Sequence, residues 1–381
     1  MAVEPTRPQP RVAWRQLDPD NPEEALRAVL RDTAGGDVAV TFLFFSPDLP
    51  TSTLEAVLGE PHRNGRVVGC SSSGELGPGG FHEGGISAMS LAHPRLRLSA
   101  RLIPSLSETD LATFDALPDE LSGELGRTLS ELGDGRHTFV TFFDGLSERE
   151  DMITAYLGRR LHRLPLVGAS AGDLMRMEET RLVLDDTVLS DAALVVLLET
   201  PEPIVVIHHH HFHPTGQEVQ VTRVDRSGRH ILELDHQPAR ERFAELIGHP
   251  VERLTDARAL DHPFATQLRG RWSLCSVIQV TKDGLRVGRT VAPEQTLMIM
   301  RPGDLVTETR AAMHEVSEAL GREPEALLLF NCAGRWLTAR AGDGLEALHE
   351  AFGPAPLAGL NSYGEQVDTL HVNHTLTGIA F

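Results

Sequence analysis

Three stretches of the chain crowd β-branched and aromatic residues into short runs that end on turn-forming residues: VAVTFLFFS from Val38, HTFVTFFDGL from His137 and ALLLFNCAGR from Ala326. Runs of this length and composition predict strands buried on both faces. Each is followed by a segment with helical periodicity: TSTLEAVLGE, REDMITAYLGRRLH and DGLEALHEAF. A further helix is predicted ahead of each unit, over 21–33, 118–132 and 304–320, where Leu, Ala and Glu recur at helical spacing.

The segment after each helix repeats as well. VVGCSSSGEL (67–76), PLVGASAGDL (165–174) and PLAGLNSYGEQ (356–366) each run from an apolar pair through a glycine, a few small or polar residues, a second glycine and an acid. The first glycines are Gly69, Gly168 and Gly359; the second are Gly74, Gly172 and Gly364. From Val38, Thr138 and Ala326 to the first glycine is 31, 30 and 33 residues. A closing strand comes after each copy, in GISAMSLA, DAALVVLLE and HTLTGIAF. The pattern predicts an α/β protein with layered mixed sheets, built from three α-β-α-β-β modules in two domains.

Between the second and third modules the pattern turns to alternation. QEVQVTRVDRSGRHILELD predicts a hairpin about Ser227-Gly228, PARERFAELI a short helix, and SLCSVIQVTKDGLRVGR a hairpin about Asp283-Gly284. The expected layout is a flexible tail over 1–20, marked by Pro5, Pro8, Pro10 and Pro19. An N-terminal domain of two modules comes next over 21–218, and a C-terminal domain of hairpins plus the third module over 219–381.

Charge narrows the partners. Of 381 residues, 54 are acidic and 35 basic, a formal charge of −19, and Lys282 is the only lysine. Such a surface repels phosphate backbones, and no basic patch offsets it, so nucleic acid is not an expected partner. Cys70, Cys275 and Cys332 lie far apart with no CxxC, as in a reduced, cytosolic protein. No apolar run approaches the roughly 18 residues of a spanning helix, and no charged region precedes an apolar one at the start. A cytoplasmic location without membrane contact is therefore expected. The chain has no GxxxxGK[ST], no HExxH and no GxGxxG after a strand, which leaves nucleotide hydrolysis and common zinc or dinucleotide chemistry without support.

Candidate chemistry concentrates in the third module. Cys332, Arg335, Tyr363, Glu365, Asn373 and Thr375 fall near predicted strand ends, where open α/β sheets bind ligands. Arg335 suits a bidentate clamp on a carboxylate, Glu365 an ammonium, and Asn373 and Thr375 the orientation of the remainder. The structural alternative is an internal Arg335–Glu365 ion pair. Gly168–Gly172 formally matches the G-x-S-x-G nucleophile elbow, but the DLMRMEETRLVL after it reads as loop and strand rather than helix. Ser170 and Cys332 therefore carry the enzyme alternative, and a structural turn is the preferred reading. In an extended run His208 and His210 share one face, and with His374 they are the candidates for a metal or a haem. No third ligand is evident near them, so no cofactor is predicted and haem is kept as the alternative.

Together these features resemble the FIST family of sensory proteins. GCSSSGEL (69–76) resembles its small-residue and Gly-Glu motif, and FHPTGQEVQVT (212–222) its aromatic-x-Pro-x-Gly junction. NCAGR (331–335), GLNSYGE (359–365) and HVNHT (371–375) resemble its C-terminal signature, in order. The likeness spans about 21–381. His208 to His211 depart from it, standing where a less polar stretch is usual. The resemblance implies a non-enzymatic cytoplasmic sensor of a small ligand, amino-acid-like or another small anionic metabolite. Its signal would pass to a separate protein such as a histidine kinase or a cyclic-di-nucleotide enzyme. It also implies an alternative, a haem-based nitric oxide sensor on the same scaffold.

Overall fold

The computed structural model describes residues 7–60, 65–268 and 270–381. The first module comprises β1 (Gln9–Gln16), α1 (Pro22–Asp32), β2 (Val38–Phe45), α2 (Thr51–Leu58) and β3 (Arg66–Ser71), then the hairpin β4 (Glu75–Gly77) and β5 (Gly80–His82), and β6 (Gly85–Ala92). The second has β7 (Arg97–Ile103), α3 (Leu117–Glu124), β8 (His137–Phe143), α4 (Glu150–Leu161) and β9 (Leu166–Ser170), then the hairpin β10 (Leu182–Leu184) and β11 (Thr187–Leu189), and β12 (Ala193–Glu199). The third opens with β13 (Val205–His209) and is interrupted by a separate sheet with two helices. That insertion holds β14 (Phe212–Val224), β15 (His230–Leu234), β16 (Gln237–Pro238), α5 (Ala239–Leu246), α6 (Asp256–Leu260), β17 (Phe264–Leu268), β18 (Arg271–Cys275), β19 (Val277–Val280), β20 (Leu285–Val287) and β21 (Thr296–Pro302). The third module then resumes with α7 (Leu305–Leu320), β22 (Leu327–Cys332), α8 (Ala333–Ala341), α9 (Leu345–Ala351), β23 (Leu357–Ser362), the hairpin β24 (Glu365–Val367) and β25 (Leu370–Val372), and β26 (Leu376–Ala380).

The three modules are equivalent in register. In each, two central strands run parallel, β2 with β3, β8 with β9 and β22 with β23, and Gly69, Gly168 and Gly359 lie opposite Leu43, Thr141 and Leu329. A Cβ on these glycines would stand 1.8, 2.2 and 1.9 Å from the facing carbonyl oxygens. Close backbone approach therefore dictates glycine at all three places. The closing strands β6, β12 and β26 pair antiparallel with β2, β8 and β22 and carry β1, β7 and β13 on their outer edges.

No module completes its own sheet. The hairpin β10–β11 of the second module joins β3 of the first. The hairpin β24–β25 of the third joins β9 of the second, and β4–β5 of the first joins β23 of the third. The exchange closes a ring. At its centre Phe44, Phe142 and Phe330 meet edge to face, with centroids 5.9, 6.2 and 5.4 Å apart. Period-two alternation sorts the strands. Val40, Phe42 and Phe44, Val140 and Phe142, and Leu328 and Phe330 face the shared core. Leu43 and Phe45, Phe139 and Phe143, and Leu327 and Leu329 face the helices outside. The insertion has its own core, around Val221, Phe243, Phe264, Leu285 and Ile299. Its two expected hairpins are β14–β15 and β19–β20.

Two local expectations are corrected. Residues 9–16 are not a flexible tail: all eight pair with Gly85–Ala92 of β6. Pro10 is tolerated because β1 is an edge strand and has no ladder bond to lose on its outer side. NCAGR is not only a strand end, because Ala333 starts α8 and places Arg335 in its first turn. The expected domain boundary near 218 falls within β14. Among the described residues, no helix is long and apolar enough to cross a membrane.

Candidate functional site

The turns after β3, β9 and β23 converge on the ring's axis and are largely spent on one another. Ser73 N donates to Asn361 O (2.9 Å) and Asn361 N to Gly74 O (2.7 Å). Ser170 N donates to Gly364 O (2.8 Å), Tyr363 N to Ser170 O (3.1 Å), and Gly172 N to Ser71 O (3.1 Å). These N–H groups lock modules together instead of cradling an anion.

Two of the turns hold a buried carboxyl in the same way. Glu75 accepts from Ser72 Oγ (2.5 Å) and from Gly85 N (3.0 Å) at the start of β6. Glu365 accepts from Ser362 Oγ (2.6 Å), from Thr375 N (3.3 Å) and from the Thr375 hydroxyl. Burial outweighs these donors and pushes both carboxyls up to about 8. The second turn differs, since Ala171 replaces the serine. Its Asp173 is buried too, and burial works against its charge, but the Tyr363 hydroxyl and the N–H groups of Met177, Glu178 and Glu179 hold it below the usual range.

Beyond Glu365 lies a buried cluster of one arginine and several histidines. Gly334 packs on the His374 ring so tightly that a Cβ there would stand 2.7 Å from it. The next residue, Arg335, is fully buried. Its Nε donates to Asn331 Oδ1 (3.0 Å) and its Nη2 to Thr309 Oγ1 (2.8 Å), while Nη1 lies 3.5 Å from His211 Nδ1. Among the described residues no carboxylate comes within ion-pair distance of it. Burial pulls the guanidinium down to about 10, against the raising influence of Glu365. The rings of His209, His211 and His374 respond to its charge. Their Nε2 atoms, and Nδ1 of His374, are buried without a hydrogen-bond partner. Burial, and then the Arg335 charge, push His209 and His374 down to about 3 and His211 lower still. All three rings are neutral at physiological pH.

The structure thus splits the residues singled out from sequence. Cys332, Glu365 and Thr375 meet: Cys332 N donates to Thr375 O (3.0 Å), and Thr375 clamps Glu365. Arg335 faces His211 and makes no ion pair with Glu365. Tyr363 turns to Asp173 of the second module. Asn373 Oδ1 accepts Ser276 N (3.2 Å) from the inserted sheet. Ser170 Oγ accepts from Gln366 Nε2 (3.0 Å), and burial pushes the Cys332 thiol well above the usual thiol range, so neither has the surroundings of an activated nucleophile.

His208 lies in β13 with its Nε2 buried and unpartnered, and His210 Nδ1 accepts Phe212 N (3.3 Å). Burial pushes both down to about 4. Among the described residues no group of three or more His, Cys, Asp or Glu side chains is placed to hold a metal. An axial histidine needs an apolar slot beside it for the macrocycle. His374 instead has Gly334 against its ring, Phe212 edge-on at 5.0 Å and the Arg335 charge nearby, which does not fit a haem.

Asn331 and Thr309 were not singled out as ligand residues from sequence, and His209 and His211 only within the His208–His211 run weighed for a metal or haem. The pair Asn331–Arg335 carried no helical-spacing signal, because Asn331 belongs to β22 and only Arg335 to α8.

None of the curated proteins compared matches the chain. A solved structure described as a cyanuric acid hydrolase from A. caulinodans is similar over 98% of this chain and 99% of that one, at 11% identity and a TM-score of 0.37. The FIST N domain matches residues 39–237, taking in both of the first two glycine turns and the start of the insertion. The FIST C domain matches 239–368, through the Arg335 helix and the third turn. FIST domains are small-ligand sensory domains of signalling proteins. With more than half of its length under the N domain alone and the C domain directly after it, this chain belongs to the FIST family.

Proposed function

We propose that the chain is a non-enzymatic cytoplasmic sensor that takes a small carboxylate-bearing metabolite, amino-acid-like or otherwise anionic, against Arg335. It then signals through a separate partner protein, of which a histidine kinase or a cyclic-di-nucleotide enzyme is the expected class. One observation carries the reading. Arg335 is fully buried, yet the oxygens that receive its N–H groups are those of Asn331 and Thr309, both neutral. Burying a cation without a counter-charge costs several kcal/mol. A ligand carboxylate offsets that cost and accepts the two N–H groups still free on the fork.

The test is Arg335→Lys, which keeps the charge and loses the planar fork. Mass spectrometry of what co-purifies with the parent supplies the ligand, and calorimetry its affinity. A bidentate contact to a charged group contributes roughly 1.5–3 kcal/mol, so the variant is expected to bind about ten- to a hundredfold more weakly at an unchanged melting temperature. Full-strength binding by a normally folded Lys variant would show that this arginine does not read the ligand.

A further inference from the structure

A cavity of about 340 Å³ lies on the second module, at the C-terminal end of β8, where Asp144 follows the strand directly. Such strand ends are where open α/β sheets take their partners. Asp144 and Thr180 in its lining are buried and Glu178, Glu179 and Ser190 are exposed, so it opens to solvent. Asp191 is the fourth acid, and among the described residues no lysine, arginine or histidine lines it. The donors around it are already spent. Asp144 takes Leu146 N (2.8 Å), the Thr180 hydroxyl (2.7 Å) and Asp191 N (2.7 Å). Asp191 takes Ser107 N (2.8 Å) and the Ser107 hydroxyl (2.7 Å), and Ser190 Oγ donates to Glu179 (3.0 Å). Arg149 reaches the Ser107 and Thr109 carbonyls but does not line the cavity. What faces the opening is negative charge and oxygen lone pairs, which suit a cation that brings its own N–H groups.

The loop ahead of Glu178 adds an independent observation. Met175 and Met177 are 46% and 58% exposed, two of only five large apolar side chains so exposed among the described residues. Both hold a left-handed backbone, at φ 63° and 58°. The loop is pinned by Asp173, whose carboxylate takes the N–H groups of Met177 (3.0 Å), Glu178 (2.6 Å) and Glu179 (3.1 Å). Methionines fixed in solvent beside a charged opening are typical of surfaces that bind other proteins. We propose that this face of the second module docks a partner protein, which places an arginine or lysine side chain in the cavity and apolar residues over Met175 and Met177. Charge complementarity chooses the basic side chain, and the methionines choose its apolar neighbours. The volume is at the low end of the roughly 300–1,000 Å³ of free-ligand sites and suits one long side chain. The inference rests on the cavity and its loop, and does not depend on the reading of Arg335.

Three probes make the test: the blocked peptide Leu-Arg-Leu, the same peptide with Gln for Arg, and propylguanidine, which is the arginine side chain alone. Each is titrated calorimetrically into the full chain at pH 7. The Arg peptide is expected to bind at least about tenfold more tightly than either of the others. A Gln peptide that binds as well shows that the acids do not select the occupant. Propylguanidine binding as well makes the cavity a site for a free small cation. Either result overturns the proposal, as does an Arg peptide that does not bind. Met175→Asn with Met177→Asn keeps residues that tolerate a left-handed backbone. This pair is expected to reduce the Arg peptide to the level of propylguanidine and to leave propylguanidine unchanged. Glu178→Gln with Glu179→Gln is expected to weaken both about tenfold. Full peptide affinity in either double variant overturns the proposal. For a variant that does not fold, the parent's salt dependence decides: Arg-peptide affinity that falls as salt rises supports the docking, and affinity that stays flat overturns it.

Discussion

Glu75 in the first module and Glu365 in the third occupy the same place. Each takes the hydroxyl of a serine three residues back and an N–H where the closing strand begins. Behind them the modules part. Phe45, opposite Ser71, holds the strand position that Asn331, opposite Asn361, holds in the third module. Phe45 packs against α1 and α2 with Arg181 over its ring, whereas Asn331 holds the buried Arg335 beside His211. The buried glutamate is thus part of the scaffold, present with and without an arginine, and the arginine goes with a polar rather than an apolar strand end.

The equivalence can be attacked first at its foundation. Gly69→Ala and Gly359→Ala each force a Cβ into a carbonyl oxygen, at 1.8 and 1.9 Å. Both are expected to destabilise by at least about 3 kcal/mol, and by similar amounts, in denaturant unfolding. Tolerance of one and not the other would break the comparison.

The carboxyls give a finer test. Burial raises both from 4.5 to about 8, so the folded state holds protons that the unfolded state releases. Their contribution is full below pH 4.5 and declines as pH rises towards 8. Above pH 6.5 the buried histidines are neutral in the folded and mostly in the unfolded chain, and each glutamate is expected to lose about 2 kcal/mol between there and pH 8. Glu75→Gln and Glu365→Gln should each remove that share of the pH slope, equally, as measured by calorimetric melting. A change confined to Glu365→Gln would make it a site residue after all.

The smallest effect concerns what the third turn has and the first lacks. Tyr363 stands where the first module has Ser73, and its hydroxyl reaches Asp173 of the second module. Tyr363→Phe is expected to cost about 1–2 kcal/mol in denaturant unfolding and to move the Asp173 carboxyl up towards its ordinary value, tracked by NMR titration. No movement of Asp173 would separate the two turns.

The three modules were legible because close backbone approach allows only glycine, and glycine is visible in a sequence. Strand partners were not. Alternation tells which face of β4 is buried but not that its neighbour is β23, because the spacing within one module says nothing about its place in a ring. The proline-rich start hid β1, whose edge position is what permits Pro10. At the site, Arg335 stood out from NCAGR, whereas Thr309 and His211 reach it only through tertiary packing. Tyr363 and Asn373 looked like neighbours of Arg335 along the chain and proved to face the second module and the insertion.

The exchange of hairpins has a consequence for how the molecule is made. As the chain leaves the ribosome, Glu75–His82 emerges before the whole second module and the insertion, but the strand it pairs with, Leu357–Ser362, emerges after both. The sheet of the first module is completed by β10–β11, but its β4–β5 hairpin must wait without its partner until β23 has emerged, a state that invites aggregation. Its pairing depends on contacts far apart in sequence, which form slowly. A chain stalled before β23 therefore leaves the ring open at this hairpin and is a natural client for chaperones.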